Sequence, residues 1–206
     1  GASIDAVHRV GKIVVLHLLP PVGPGDRSSS RSPAALPSLR RLGLHFGMTG
    51  RLVVDGSAPI ERLTYASGRD DAGWDRLRLW TGHGAADGPT DGAVPAPRLN
   101  DPRRLGRVSL DEDLAGQGPD VLTISRAALA ERLAKRRAAV KTVLLDQAAV
   151  AGLGNLCADE VLWWAGVAPH RPAASLRPVD VAALHAALTS QLPVMLAAGG
   201  STNGVL

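Results

Sequence analysis

The hydrophobic pattern of this 206-residue chain changes once, from the period of β-strands to the spacing of α-helices. The first half holds short apolar or alternating runs, for example Ile13–Leu18. From about Ser125 apolar residues recur three and four apart instead. We therefore predict an α+β fold of two domains, a partial antiparallel β-sandwich over residues 1–118 followed by a helical domain over residues 119–206.

Several short segments of the first half are predicted to be strands. They are IVVLHL, the alternation of Leu42, Leu44 and Phe46 with Gly43 and His45, then RLVVDG, ERLTYASG, DRLRLW and LNDPRRLGRVSL. Within the last segment an Asn-Asp-Pro corner is predicted to turn the chain before Arg103. Two stretches rich in glycine and proline, residues 20–38 and 82–97, are predicted to be loops. Because no helical pattern separates the strands, antiparallel pairing is favoured over an α/β sheet.

Helices are predicted for the second half. Ser125 is an available N-cap for the first, and Pro178 is a first-turn proline for the last. The residues predicted to face the core are Val140, Val143, Leu144 and Val150 in the second helix, Leu156, Val161 and Trp164 in the third, and Val181, Leu184, Leu188 and Met195 in the last.

Lysine and arginine together number 23 against 19 aspartates and glutamates, a formal net charge of +4. Arginine-rich basicity suits phosphate contacts, and a compositional bias toward arginine explains it equally well. A single cysteine, Cys157, excludes an internal disulfide and any zinc site built from several thiolates. We expect no metal or cofactor in this chain, no membrane segment, no protein partner and a cytoplasmic location.

The turn GLGN, residues 152–155, is the most informative local motif. Its glycines permit left-handed backbone angles, and Asn155 is predicted to cap the helix that follows. Free amides at a helix N-terminus bind phosphate, although an ordinary helix–helix corner uses the same residues. Lys141 and the cluster of Lys135, Arg136 and Arg137 precede the turn, either as further phosphate contacts or as a solvated helix face.

Two loops carry side chains that do not fit a core. Met48 lies between glycines in GMTG, where an exposed methionine suits insertion into a base stack, although a methionine considered alone is more often a core or incidental residue. Arg103 and Arg104 are adjacent in DPRRLG, so strand alternation predicts that only one of them reaches a ligand. The sequence has no GxGxxG after a strand, no phosphate-loop lysine motif and no HExxH, and its histidines are dispersed.

Four blocks in order, RVGKIVVLHL, LGLHFGMTGRL, LNDPRRLGRV and VKTVLLDQAAVAGLGNLCADEVLWWAGVAPHRPA, resemble the formamidopyrimidine-DNA glycosylase and endonuclease VIII family. The resemblance implies a β-sandwich joined to a helix-two-turn-helix domain, with DNA between them and a damaged base flipped out for excision. It implies that Lys12, His45 and Asn155 contact phosphates and that Lys141 lies near the flipped nucleotide, also as a phosphate contact.

The same resemblance also indicates which residues fill the space that the flipped base leaves. Met48 and Arg103 would fill it, with the apolar side chain replacing stacking and the guanidinium replacing lost pairing. Leu105 stands where an aromatic wedge is common in the family, and Cys157 stands where a tyrosine often follows the asparagine. These two departures bear on stacking and on lesion preference.

Two larger segments of the family pattern have no match in these 206 residues. The first is the N-terminal Pro-Glu dipeptide, in which the proline amine is the nucleophile and the glutamate moves protons. The second is the C-terminal zinc finger, or its zinc-less equivalent, for which GGSTNGVL is no substitute. We therefore expect no catalytic residue within this chain, and the sequence leaves its status as an enzyme undecided.

The function that the sequence predicts is recognition of damaged DNA in base excision repair. The first interpretation is a piece of a bifunctional DNA glycosylase/AP lyase acting on oxidised bases, with double-stranded DNA carrying a damaged base or abasic site as its partner. The second is a non-catalytic relative that binds damaged duplex. The third is an RNA- or ribosome-binding module that holds phosphates with a similar turn. The preferred lesion and the oligomeric state are not readable from the sequence.

Borohydride trapping tests catalysis by this chain directly, because reduction of a Schiff base makes a permanent cross-link to abasic DNA. We expect no cross-link from residues 1–206, since the proline nucleophile of the family is not among them. A cross-link at a defined lysine would show that another amine of this chain serves as nucleophile.

Overall fold

The computed structural model describes residues 3–19, 40–58, 69–81 and 94–199. The predicted strand ERLTYASG, the loop over residues 20–38 and the first part of the loop over residues 82–97 lie outside the described residues. The chain divides into two compact units. The β unit comprises Gly1–Arg9 and Ile13–Glu112, and the helical unit comprises Val10–Lys12 and Asp113–Leu206.

The described part of the β unit forms two antiparallel sheets, which confirms the predicted α+β class and strand pairing. One sheet has the order β1-β2-β3-β7 and the other the order β4-β6-β5. The strands are β1 Ser3–Val10, β2 Ile13–Leu19, β3 Arg40–His45, β4 Arg51–Val53, β5 Asp75–Thr81, β6 Val94–Asn100 and β7 Arg107–Leu110.

The core of the β unit follows from strand alternation. Leu16 and Leu42 are paired across β2 and β3, and Leu44 of β3 is fully buried. Partly buried leucines of the other sheet, Leu52 and Leu77 among them, pack against this cluster. Apolar side chains on one face of each sheet therefore meet in a sandwich, as the period of two predicts.

The Asn-Asp-Pro corner predicted within LNDPRRLGRVSL is confirmed, but the strand after it begins only at Arg107. β6 ends at Asn100 and β7 begins at Arg107, and a turn joins them. Arg104 adopts a φ of 58° there, which no strand allows. The loop predicted to reach Pro97 is also too long, since β6 begins at Val94.

The helical unit contains four α-helices in the described residues. Ser125 caps the first as predicted, its hydroxyl accepting a hydrogen bond from the Ala128 amide at 3.1 Å. The second helix was predicted to reach Val150 but ends at Leu145; Val150 is buried from the turn beyond it. The helices are α1 Arg126–Ala134, α2 Val140–Leu145, α3 Asn155–Trp164 and α4 Pro178–Ala197.

The face that α3 buries differs from the predicted one. Val161 is buried, but Leu156 and Trp164 are exposed by more than two fifths. At 100° per residue the positions three and four apart share a face, and the buried set is Ala158, Val161 and Leu162. Leu156 lies on the opposite side of the helix and Trp164 lies at the edge of the buried face, so of the predicted inward residues only Val161 is buried.

Helix α4 supplies the core of the helical unit. The predicted residues Val181, Leu184, Leu188 and Met195 are all buried, as Ala187 and Leu192 are. On length and composition alone Pro178–Ala197 could also span a membrane, which differs from the expectation of no membrane segment. Its buried stripe packs against α1 and α3, so it has the pattern of a core helix.

Two leucines of α4 provide a matched test of this packing. Leu188 is 1% exposed and Leu196 is 61% exposed. We expect Leu188→Ala to lower the free energy of unfolding by about 2–5 kcal/mol, because truncation leaves a cavity. Leu196→Ala should change it by less than about 0.5 kcal/mol. Urea unfolding followed by circular dichroism measures both, and equal effects would contradict the assigned face.

Candidate nucleic-acid interface

The turn between α2 and α3 is organised by one side chain, Gln147. Its amide oxygen accepts a hydrogen bond from the Gly152 amide at 2.9 Å. Its amide nitrogen donates to the carbonyls of Leu145 and Leu153 at 3.0 and 3.1 Å. The end of α2 and the start of the turn are thereby tied to one planar group, which fixes the backbone that leads into α3.

A second turn packs against this one within the helical unit. Gly11 has a φ of 56°, and a β-carbon there would lie 3.1 Å from the Ala151 β-carbon and 3.3 Å from the Gly152 amide nitrogen. A side chain at position 11 would therefore be strained and crowded. The close backbone approach carries the next residue, Lys12, toward the N-terminus of α3.

Lys12 and the first residues of α3 share one small region. A β-carbon on Gly154 would lie 3.8 Å from the Lys12 ammonium nitrogen, so the glycine leaves that nitrogen in ordinary contact range of the helix start. Gly154 is the N-cap of α3, and the first turn of the helix has no acidic residue. The amides of this turn have no partner within the helix and bear partial positive charge.

The electrostatics of the region favour an anion. Burial lowers the pKa of Lys12, an effect that the neighbouring Cys157 partly opposes. Burial likewise raises the pKa of the Cys157 thiol, which therefore stays protonated and neutral at pH 7. Among the residues that the structure describes, no carboxylate pairs with Lys12. A half-buried cation without a counter-charge, beside a helix N-terminus, is stabilised by binding an anion.

Asn155 does not have the role in the turn that was predicted. It is the first residue of α3, whereas Gly154 is the N-cap and no side chain caps the helix. The predicted cap is therefore wrong, because the turn places the glycine in the extended conformation that the N-cap requires. The Asn155 side chain is exposed beside the first amides of α3.

The other predicted phosphate contacts of the helical unit have partners. Lys141 of α2 forms an ion pair with Asp159 of α3 at 2.7 Å. Arg136 pairs with Asp146 at 3.0 Å. A phosphate at Lys141 would have to compete with Asp159. In the structure this ion pair joins α2 to α3. Lys135 and Arg137 are exposed.

In the β unit the loop after β3 presents Met48 to solvent. Met48 is 61% exposed, so of the roles that the sequence left open the core role is excluded. Gly47 before it has a φ of 61°, and a β-carbon there would lie 2.5 Å from the backbone of Leu105. The loop that carries Met48 thus lies directly against the loop between β6 and β7.

The two loops of the β unit meet at the buried carboxylate of Asp101. The Thr49 hydroxyl donates to one carboxylate oxygen and the Gly106 amide to the other, both at 2.6 Å. Burial would raise the pKa of Asp101, but these bonds and those from the amides of Leu105 and Arg103 outweigh it and lower the pKa. Asp101 is therefore an ionised anchor for both loops.

Arg103 and Leu105 project from the anchored loop, and each is exposed. The prediction that strand alternation separates Arg103 from Arg104 is wrong, because both residues lie in a turn rather than a strand. Both arginines are exposed there. The structure thus brings Met48, Arg103 and Leu105 onto adjoining loops of one unit.

His45 lies at the end of β3, opposite Arg107 of β7. Its Nδ1 accepts a hydrogen bond from the Gly47 amide at 3.1 Å. In the neutral ring this bond places the proton on Nε2, which makes Nε2 a donor for an acceptor such as a phosphate oxygen. His45 also begins the loop that carries Met48.

Sequence reasoning missed the residues that build the turns. Gln147, Asp101 and Thr49 all lie in segments that were singled out, yet none was assigned a role. A polar residue such as Gln147, between a helical run and a glycine-rich turn, could have indicated a side chain that hydrogen-bonds the backbone of the turn. The partners of Asp101 could not be read, because Thr49 is 52 residues away along the chain.

The part of the chain that matches a protein-family model is the helical unit. Residues 116–205 match the formamidopyrimidine-DNA glycosylase H2TH domain, so the helical unit is a helix-two-turn-helix domain. The chain as a whole is similar to formamidopyrimidine-DNA glycosylases.

Similar proteins and structures extend the match to the β unit. The chain is 32% identical over 98% of its length to formamidopyrimidine-DNA glycosylase of Acidiphilium cryptum, of which it covers 62%. It is 35% identical over 98% to that of Paracoccus denitrificans, covering 64%. The crystal structure of MutM (Fpg) from Thermus thermophilus superimposes with a TM-score of 0.67 at 25% identity, over 98% of this chain and 63% of that one.

These relatives are bacterial proteins, and the chain spans slightly less than two thirds of their length. Lactococcus lactis Fpg has the same fold, with a TM-score of 0.65 at 23% identity over 98% of this chain and 64% of that one, and its structure is a complex with DNA containing an abasic site.

The lowered pKa of Asp101 gives a pH-dependent prediction for stability. The contribution of the carboxylate is fully present above its unfolded pKa of 3.8 and is lost as the pH falls through the lower folded value. We expect Asp101→Asn to cost about 2 kcal/mol of unfolding free energy at pH 7, because one amide oxygen cannot accept all the donors.

The difference in unfolding free energy between Asp101→Asn and the wild type should shrink below about pH 4. Urea unfolding at a series of pH values measures it, with Asp55→Asn at an exposed position as the control. A difference that stays constant down to about pH 2.5, or that is as small as the control's, would contradict an ionised anchor.

Proposed function

We propose that this chain binds duplex DNA at a damaged base or abasic site as part of base excision repair. The observation that carries the proposal is the half-buried Lys12 ammonium beside the N-terminus of α3, with no carboxylate partner among the described residues. A DNA phosphate supplies the charge and the acceptor oxygens that this arrangement lacks.

Within the helical unit one phosphate accounts for the geometry. Its oxygens would accept from the Lys12 ammonium and from the first amides of α3, with the Asn155 side chain as a further donor. Gly154 permits this approach because it has no side chain in the path. Such contacts fix the register of a protein on DNA and carry no base specificity.

Within the β unit the exposed loops suit the space that a flipped nucleotide leaves. Met48 is a flexible apolar side chain, and Leu105 is a second one on the adjoining loop. Arg103 offers a planar donor set to a base that has lost its partner. His45 supplies a phosphate contact through Nε2, and Lys141 does so if DNA displaces Asp159.

For the whole protein we propose DNA glycosylase and AP-lyase activity on oxidised bases, in the bacterial cytosol and nucleoid. The names of the relatives and the matched helix-two-turn-helix domain support this proposal. The residues described above bind and position the DNA in this scheme. The domain boundary at residues 118/119 remains part of the proposal, as do the roles of the individual contacts.

Binding to a duplex with a tetrahydrofuran abasic-site analogue tests the phosphate contact. We expect Lys12→Ala to weaken binding about tenfold near physiological salt and to reduce the slope of log K against log salt by about 1, because one phosphate contact is lost. Asn155→Ala should weaken binding several-fold with little change in slope, since the amide bears no charge.

Arg126→Ala is the matched control, because Arg126 is an exposed cation of the same unit at the start of α1, away from the turn. Fluorescence anisotropy at several salt concentrations gives both quantities. Equal affinities for wild type, Lys12→Ala and Asn155→Ala would exclude this site. Tighter binding to a structured RNA at matched salt would exclude DNA as the partner.

A further inference from the structure

The buried carboxylate of Asp101 joins the two loops that the proposed function uses. The Thr49 hydroxyl on the Met48 loop donates to Oδ1, and the Gly106 amide on the other loop donates to Oδ2, both at 2.6 Å. Asp101 and Thr49 are exposed by 0% and 1%. A buried ion with several donors is costly to disrupt and has one strongly preferred geometry.

Backbone packing reinforces the same junction. The absence of a side chain at Gly47 allows its backbone to lie against Leu105, where a β-carbon would be 2.5 Å from the Leu105 carbonyl carbon. The Met48 loop is also closed on itself, since the Gly50 amide donates to the Phe46 carbonyl at 2.8 Å. Thr49 is thus held between an exposed Met48 and a closed loop end.

We propose that Asp101 is a positioning residue that, through Thr49 and the amides of the second loop, holds Met48 and the Arg103–Leu105 segment as one two-part wedge. The apolar part and the cationic part then enter the base stack together rather than singly. This inference rests on the proposed function, because a wedge requires damaged DNA to enter. Asp101 itself is buried and touches no DNA.

The coupling has an energetic reason. Ordering an exposed loop on binding costs conformational entropy, and two independent loops would each bear that cost. A shared anchor in the free protein removes part of that cost before DNA arrives. The anchor should therefore affect insertion into the stack more than it affects phosphate binding, because none of the hydrogen bonds described for the Asp101 carboxylate comes from the proposed phosphate contacts, Lys12, His45 and Asn155.

Thr49→Val and Thr49→Ser form the matched pair for the test. Valine keeps the shape of threonine and removes the donor to Asp101, whereas serine keeps the hydroxyl. Asp101 retains its three backbone donors in both variants. The test uses the full chain and a duplex with a tetrahydrofuran abasic analogue opposite 2-aminopurine, whose fluorescence rises when it is unstacked.

We expect Thr49→Val to bind this duplex within about threefold of wild type, since the phosphate contacts remain. It should nevertheless lose at least half of the increase in 2-aminopurine fluorescence at saturation, and Thr49→Ser should retain most of it. A full fluorescence increase with Thr49→Val, or an equal loss with Thr49→Ser, would overturn the proposal.

Amide hydrogen exchange in the free protein distinguishes a failure of the positioning role of Asp101 from a failure of the proposed function. In Thr49→Val the Gly50 amide should exchange about tenfold faster, because the loop opens more readily, while the Gly106 amide is unchanged. Unchanged exchange at Gly50 would overturn positioning by Asp101. Wild type without a lesion-dependent fluorescence change would instead overturn the proposed function, and Gly50 exchange would still report on the anchor.

Discussion

The close approach of the Gly11 backbone to Ala151 and Gly152 is the constraint on which the proposed phosphate site depends. The turn between β1 and β2 carries Lys12, and only a glycine with a positive φ fits at position 11 against that neighbour. Gln147 fixes the opposing surface through three hydrogen bonds. Lys12 therefore reaches the N-terminus of α3 by backbone packing and not through a flexible loop.

Both units use the same principle to support exposed functional groups. In the helical unit Gln147 holds a turn whose exposed residue is Asn155. In the β unit Asp101 holds the loops that expose Met48 and Arg103. A polar side chain that satisfies several backbone groups costs little to bury and leaves one arrangement of the loop. Neighbouring side chains then contact a ligand with less entropy to lose.

The periodic part of the fold could be predicted from the sequence. The buried residues Leu42 and Leu44 of β3 and the buried stripe of α4 followed from periods of two and 3.6, because burial on one face imposes that spacing. Helix ends could be predicted where a cap acts locally, as at Ser125. The end of α2 was placed too late, since Val150 is buried from a turn and reads like a helical residue.

The sequence singled out the residues that are proposed to contact DNA, and it did not show the contacts that support them. Lys12, Met48 and Asn155 came from motifs that lie close together in the sequence or from family resemblance. The links of Thr49 to Asp101 and of Gly11 to Ala151 join residues far apart along the chain, and no local pattern encodes such contacts. Asn155 was misplaced by one position because glycine can also occupy an N-cap.

In the proposed function, Lys12 and the N-terminus of α3 bind one and the same DNA phosphate. Neutral methylphosphonates, placed one at a time along an abasic-site duplex, measure this through double-mutant cycles with Lys12→Ala and Asn155→Ala. We predict a single position near the lesion at which the effect of each substitution on binding depends on whether the phosphate is charged. Coupling at two different phosphates, or at none, would contradict it.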